Sequence, residues 1–125
     1  MMKAEDVRGA LAEGWPELEA ALAEHDADPV VGGLKHPEMS HVARFLAERL
    51  RAGETDRLPL FFAAVERCLV EGNHDAVSLV TVGLIEDLQN GNVTGFDDYS
   101  VWASYLGPKS QQAWQSVEDF WTRPR

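Results

Sequence analysis

The chain has 125 residues, which is the size of one domain, and we expect a single domain over residues 1–125. Acidic residues outnumber basic ones by 21 to 11, and the formal net charge is −10. Because nucleic acid and anionic membranes would repel such a chain, we expect neither as a partner. The single cysteine excludes an intramolecular disulfide. The sequence has no secretory-signal pattern and no apolar run long enough to span a membrane. Together with the single cysteine, these features predict a cytoplasmic protein.

Glycine and proline positions predict the first helices. Residues 3–13 form a helix that ends at Gly14, and Pro16 stands in the first turn of a second helix. We expect the second helix to end near His25, before a main loop marked by the Gly32–Gly33 pair.

Two helices in the middle of the chain are predicted from apolar side chains at spacings of three and four residues. Gly53 and Gly72 follow these patterns and are the expected helix ends. The apolar positions are Val42, Phe45, Leu46 and Leu50 in the first helix, and Leu58, Phe61, Phe62, Val65, Cys68 and Leu69 in the second.

The next helix is the most apolar segment of the chain. Asn73 is its predicted N-cap and Gly91 its predicted end. Apolar side chains cover nearly its whole circumference, so we place it at the centre of the domain. Gly83 in its interior costs about 1 kcal/mol relative to alanine, which predicts a close crossing with another helix at that point.

The C-terminal part is predicted to hold a short helix over residues 98–106 and a last helix after the Gly107–Pro108 break. Asp97 is the expected N-cap of the short helix. The last helix is expected to pack onto the core through one face that carries Ala113, Trp114, Val117, Phe120 and Trp121. We therefore predict an all-α fold, a compact irregular bundle of five or six helices with some character of stacked helical hairpins.

Motifs that would indicate catalysis are few. His36 and His41 are about 140° apart on a helix and do not share one face. Cys68 lies on an apolar stripe, which favours a buried packing residue over a nucleophile. The chain has no phosphate-binding glycine loop and no nucleophile elbow. We expect no cofactor and no metal.

Carboxylates and aromatic side chains supply the candidate functional residues. Some have ordinary structural explanations, as helix caps, solvated edges or packing residues. Glu86 and Asp87 lie at the end of an apolar helix, where acidic residues gain nothing from the helix dipole, so either a solvated helix edge or a binding role explains this pair. The predicted partner-binding surface is acidic and aromatic and would suit a basic partner. It consists of Glu86, Asp87, Asp97, Asp98, Tyr99 and Trp102.

Three segments resemble an uncharacterised family of small, acidic, helical bacterial proteins, some of which resemble immunity proteins of polymorphic toxin systems. The segments are FFAAVE at residues 61–66, VTVGLIEDL at residues 80–88, and YLGPKS at residues 105–110. The likeness covers about residues 58–121, with Glu86 and the Leu-Gly-Pro turn as its recognisable marks. It implies a non-enzymatic role in binding a partner.

We therefore expect a non-catalytic interaction protein, resembling an immunity or antitoxin protein, that covers a basic protein partner. One alternative is a small metal-dependent hydrolase, which requires at least three of a set of acidic and histidine side chains to meet. That set is Glu86, Asp87, Asp97, Asp98, His74 and Asp75. Another alternative is a small-molecule-binding module with an enclosed pocket among the C-terminal aromatics. A homodimer is compatible with all three.

Overall fold

The computed structural model describes residues 1–122, which fold into helices. The α-helices are α1 (Ala4–Gly14), α2 (Leu18–Ala27), α3 (Lys35–Arg51), α4 (Leu58–Glu71), α5 (His74–Ser78), α6 (Glu86–Leu88), α7 (Gly91–Thr94) and α8 (Pro108–Thr122). A π-helical segment (Leu79–Ile85) joins α5 to α6, and a 3₁₀-helix (Tyr99–Tyr105) precedes α8. In this described part, only the Met2–Gly72 pair has strand-like bonding. Within residues 1–122 the all-α prediction is confirmed, with eight α-helices where five or six helices were expected.

The expected stop signals lie at the ends of α3 and α4. α3 ends at Arg51, and Gly53 two residues later has φ +76°, a conformation that favours glycine. Gly72 is the C-cap of α4, where its backbone N–H donates to the Cys68 carbonyl oxygen. Glycine thus ends both helices as predicted.

The α5, π-helical and α6 segments follow one another without a break, and we call residues 74–88 the central helix. Asn73 caps it as predicted, since its side chain accepts a hydrogen bond from the Ala76 backbone N–H at 3.0 Å. The helix ends at Leu88, three residues before the predicted stop residue Gly91, which begins α7 instead. Asn90 causes the difference, because its side chain caps α7 by accepting from the Asn92 N–H.

The central helix crosses α3 closely at Gly83. A Cβ atom placed on Gly83 would lie 3.0 Å from Cγ and 3.2 Å from Cβ of Met39, a fully buried residue of α3. The predicted close crossing is therefore confirmed. The π-helical turns around Gly83 also place Val82 outward, and its side chain is 49% exposed. The helix is central on most of its circumference, but one face is exposed.

A set of aromatic rings closes the core at the end that carries the 3₁₀-helix. Trp102 is fully buried, with ring centroids 6.1 Å from Phe62 and 6.0 Å from Phe96. Phe62 also stacks on Tyr105 at 5.7 Å. Cys68 is buried as predicted, and burial raises the pKa of its thiol to about 11.

The last helix is fastened to α4 by one carboxylate. Glu66 accepts hydrogen bonds from the backbone N–H groups of Lys109 and Ser110 at 2.8 and 2.9 Å, and from the Ser110 hydroxyl at 2.9 Å. Gly107 leaves room for this approach, because a Cβ there would lie 2.7 Å from Oε1 of Glu66. Glu66 therefore caps α8 from a different helix.

Two predictions for the C-terminal part are wrong. Asp98, and not Asp97, is the N-cap of the 3₁₀-helix, where its carboxylate accepts from the Ser100 backbone N–H. Phe120 and Trp121 are 63% and 50% exposed, so the core-facing side of α8 stops at Val117.

In residues 1–122, no helix combines the length and the apolar character that a membrane span requires.

Candidate functional site

The two neighbouring acidic residues of α6 face different grooves. Asp87 lines a groove between the central helix and α3, whereas Glu86 lines a groove between the central helix and α8. Val82 contributes to both grooves and lies between them. The predicted pair therefore marks two adjacent sites with different chemistry.

The groove between the central helix and α3 has both polar and apolar lining residues, and we call it the polar groove because five of its side chains are polar or charged. Its volume is about 430 Å³. The polar side chains that α3 supplies are His36, Ser40, His41 and Arg44, and the central helix supplies the polar side chain of Asp87. Residues 36, 40 and 44 follow one another at helical spacing, and this spacing is the sequence signal for a shared polar face on α3.

Asp87 is held by α3. The Ser40 hydroxyl donates to Oδ2 of Asp87 at 2.6 Å. Burial raises the pKa of Asp87, while the Ser40 hydrogen bond and the charges of Arg44 and His36 oppose the rise. Three neighbours that donate hydrogen bonds or carry positive charge thus surround one acid, which makes Asp87 a weak contact point for a basic partner.

Behind His41, at the edge of the polar groove, lies a second histidine. The His25 and His41 rings lie 5.1 Å apart, and the buried His25 bonds through Nε2 to the Leu34 carbonyl oxygen at 3.1 Å. Burial lowers the pKa of His41, and the positive charges of His25 and Arg44 lower it further. His41 therefore favours its neutral form at the edge of the groove.

The groove between the central helix and α8 is the more apolar one, and we call it the apolar groove. Its volume is about 350 Å³. Its lining consists of Thr81, Val82, Glu86, Ser116, Val117 and Phe120. Val82 and Phe120 are large apolar side chains at 49% and 63% exposure, and among the described residues of the lining Glu86 is the one charged group. Sequence reasoning missed this groove because it assigned Phe120 to the core.

The other predicted contact residues have mostly structural surroundings. Trp102 is fully buried, so its inclusion in a contact surface is wrong. The Tyr99 hydroxyl donates to Glu118 at 2.9 Å, which ties the 3₁₀-helix to α8. Asp98 is engaged in its cap, whereas Asp97 is exposed. Of the six predicted residues, Glu86 is the one that lines the apolar groove, beside the exposed Val82 and Phe120.

The metal-dependent alternative needs several donors in one place. Within residues 1–122, no group of three or more His, Cys, Asp or Glu side chains is arranged to hold a metal ion. The hydrolase hypothesis requires such a meeting, and the described part of the chain does not supply it. Neither groove is the enclosed aromatic pocket that the small-molecule alternative requires.

The likeness of the chain to known proteins is at the level of a family model. No curated protein and no solved structure matches the chain. A family model described as a domain of unknown function, DUF7674, matches residues 9–122, which is most of the chain. The chain belongs to the DUF7674 family.

Proposed function

We propose that this is a non-catalytic protein that binds a basic protein partner and covers that partner's working surface, in the manner of an immunity protein. The observation that supports the proposal is the apolar groove. Exposed Val82 and Phe120 stand there beside Glu86, on a molecule with a net charge of −10. Exposed apolar side chains next to a charge are typical of protein interfaces.

The mechanism is occlusion aided by electrostatic attraction. A net charge of −10 attracts a basic protein over a distance of about one Debye length, roughly 8 Å at physiological ionic strength. Attraction of this kind mainly raises the association rate. The apolar groove then supplies the short-range contact, and release of water from Val82 and Phe120 slows dissociation.

The first experiment is affinity capture with the full chain at about 50 mM and about 500 mM salt, read by mass spectrometry. We expect a basic protein that is retained at low salt and reduced at high salt. Its association rate with the purified chain should fall as salt rises.

Two matched variants then test the role of Glu86. Glu86→Gln should weaken binding of the captured protein by about two- to fivefold, the range expected for one exposed ion pair. Glu17→Gln makes the same charge change at an exposed position before α2 and should leave binding within about twofold. Absence of any basic partner, or an association rate independent of salt, would contradict the proposal.

A further inference from the structure

The apolar groove adjoins a second depression on the same side of the molecule. This second depression, of about 330 Å³, is lined by Leu69, Val77, Lys109, Gln112 and Ala113, and it shares Thr81 and Ser116 with the apolar groove. Together they form one long groove between the central helix and α8. On α8 it extends from Lys109 to Phe120, a distance of about 16 Å, or about three turns of an α-helix.

The two helices that form the long groove run in the same direction. Val77 and Ala113 lie near one end, and Glu86 and Phe120 lie at the other. The C-terminal halves of both helices are therefore at the Glu86 end, where the carbonyl groups of a helix carry partial negative charge.

The charged side chains at the two ends of the long groove have the same signs as the helix dipoles at those ends. Glu86 lies at one end of the long groove and the exposed Lys109 at the other. Within residues 1–122 neither forms an ion pair with another side chain. The long groove is thus mainly apolar along its length, with the Glu86 carboxylate at one end and the Lys109 ammonium group, which interacts with the Glu66 carboxylate, at the other.

We propose that the long groove receives an amphipathic helix of the partner, antiparallel to the central helix and α8; this rests on the proposed function. The N-terminal end of the partner helix, with a basic side chain, lies at Glu86, and its C-terminal end lies at Lys109. The space between two helices accepts the side-chain ridge of a third. The antiparallel direction places the positive end of the incoming helix dipole at the negative end of the groove. A second copy of this chain is disfavoured as the occupant, because each copy carries −10.

A pair of substitutions on α8 tests the position. Ser116 is exposed in the middle of the long groove, and Ser116→Trp fills it without a change of charge. Gln115→Trp places the same side chain on the neighbouring exposed position, outside the groove lining. We expect Ser116→Trp to weaken binding of the captured basic protein at least tenfold and Gln115→Trp to change it less than twofold. Circular dichroism of both variants verifies that each is folded.

Photo-crosslinking tests the direction. The crosslinking amino acid benzoylphenylalanine is placed at Gln112, which lies toward the Lys109 end, or at Phe120, at the Glu86 end. In the partner's sequence, the residue reached from Phe120 should precede the residue reached from Gln112, with apolar residues between them at helical spacing. The reverse order, an alternating extended pattern, or a crosslink to a second copy of this chain would overturn the inference.

The two proposals fail in different ways. If the unaltered chain captures no basic protein, the proposed function is wrong and the inference falls with it. If a basic protein is captured and Ser116→Trp binds it normally, only the inference is wrong. Capture alone supports neither the position nor the direction of the helix.

Discussion

At the scale of single residues, Asp87 combines a half-buried carboxyl group with neighbours that partly compensate for its burial. Burial raises its pKa in the folded chain, despite the Ser40 hydrogen bond and the charges of Arg44 and His36. An acid whose folded pKa is raised stabilises the fold most at low pH, and that stability is lost as pH rises from the ordinary pKa to the raised one.

The variant Asp87→Asn removes this dependence. An amide oxygen can still accept the Ser40 hydrogen bond, and no charge is then buried. We expect the stability of Asp87→Asn relative to the unaltered chain to rise as pH increases from about 3 to about 6. Chemical denaturation across that range measures it. Asp97→Asn removes an exposed carboxylate as a control. A relative stability that falls with rising pH would show that the Ser40 contact outweighs burial.

At the scale of elements, α8 depends on Glu66 for its first turn. Burial tends to raise the pKa of Glu66, but the hydrogen bonds from Lys109 and Ser110 outweigh it and lower the pKa. The stabilisation is therefore present above the ordinary glutamate pKa and lost as pH falls through the lowered one.

Loss of this cap should loosen α8. We expect Glu66→Ala to reduce the free energy of unfolding by about 1 kcal/mol at pH 7, as for other lost helix caps. Glu48→Ala, at an exposed position of α3, should change it by less than about 0.5 kcal/mol. Urea denaturation measures both. The difference between Glu66→Ala and the unaltered chain should shrink at acidic pH, and equal effects of the two substitutions at pH 7 would contradict the capping role.

At the scale of the whole molecule, one arginine offsets the repulsion among acidic residues near the N-terminus. Residues 1–35 contain eight acids and three bases. Arg8 of α1 bonds to Glu19 and Asp26 of α2 at 2.8 and 2.7 Å, and to Glu38 of α3 at 3.2 Å. These contacts raise the pKa of Arg8, with the Asp26 hydrogen bond as the largest cause. Three helices therefore meet at a single guanidinium.

Arg8→Gln should lower the melting temperature more than Arg67→Gln does. Without Arg8, three carboxylates face one another, whereas Arg67 is half exposed and pairs with two carboxylates, those of Glu13 and Glu71. Added salt should restore part of the loss in Arg8→Gln, because it screens the repulsion among the remaining carboxylates. Thermal unfolding at low and high salt measures this, and equal shifts for the two variants would contradict it.

Local features of the sequence were enough for much of the fold. Spacing of apolar residues and the positions of Gly53 and Gly72 predicted α3 and α4, because such signals act within one or two helical turns. Gly83 predicted a crossing that the structure has at Met39. The candidate site was predicted only in part: Glu86 lies in the apolar groove, but Trp102 is in the core.

The sequence by itself determined the all-α class, the acidic charge, and the helices whose caps and apolar stripes are local. Tertiary structure decided which aromatic side chains are buried, because burial depends on which helices meet and where each one ends. It placed Trp102 between Phe62 and Phe96 and left Phe120 exposed. It also separated Glu86 from Asp87 into two grooves, since adjacent residues on a helix point about 100° apart. Side-chain spacing along one helix cannot say which neighbours lie beside it.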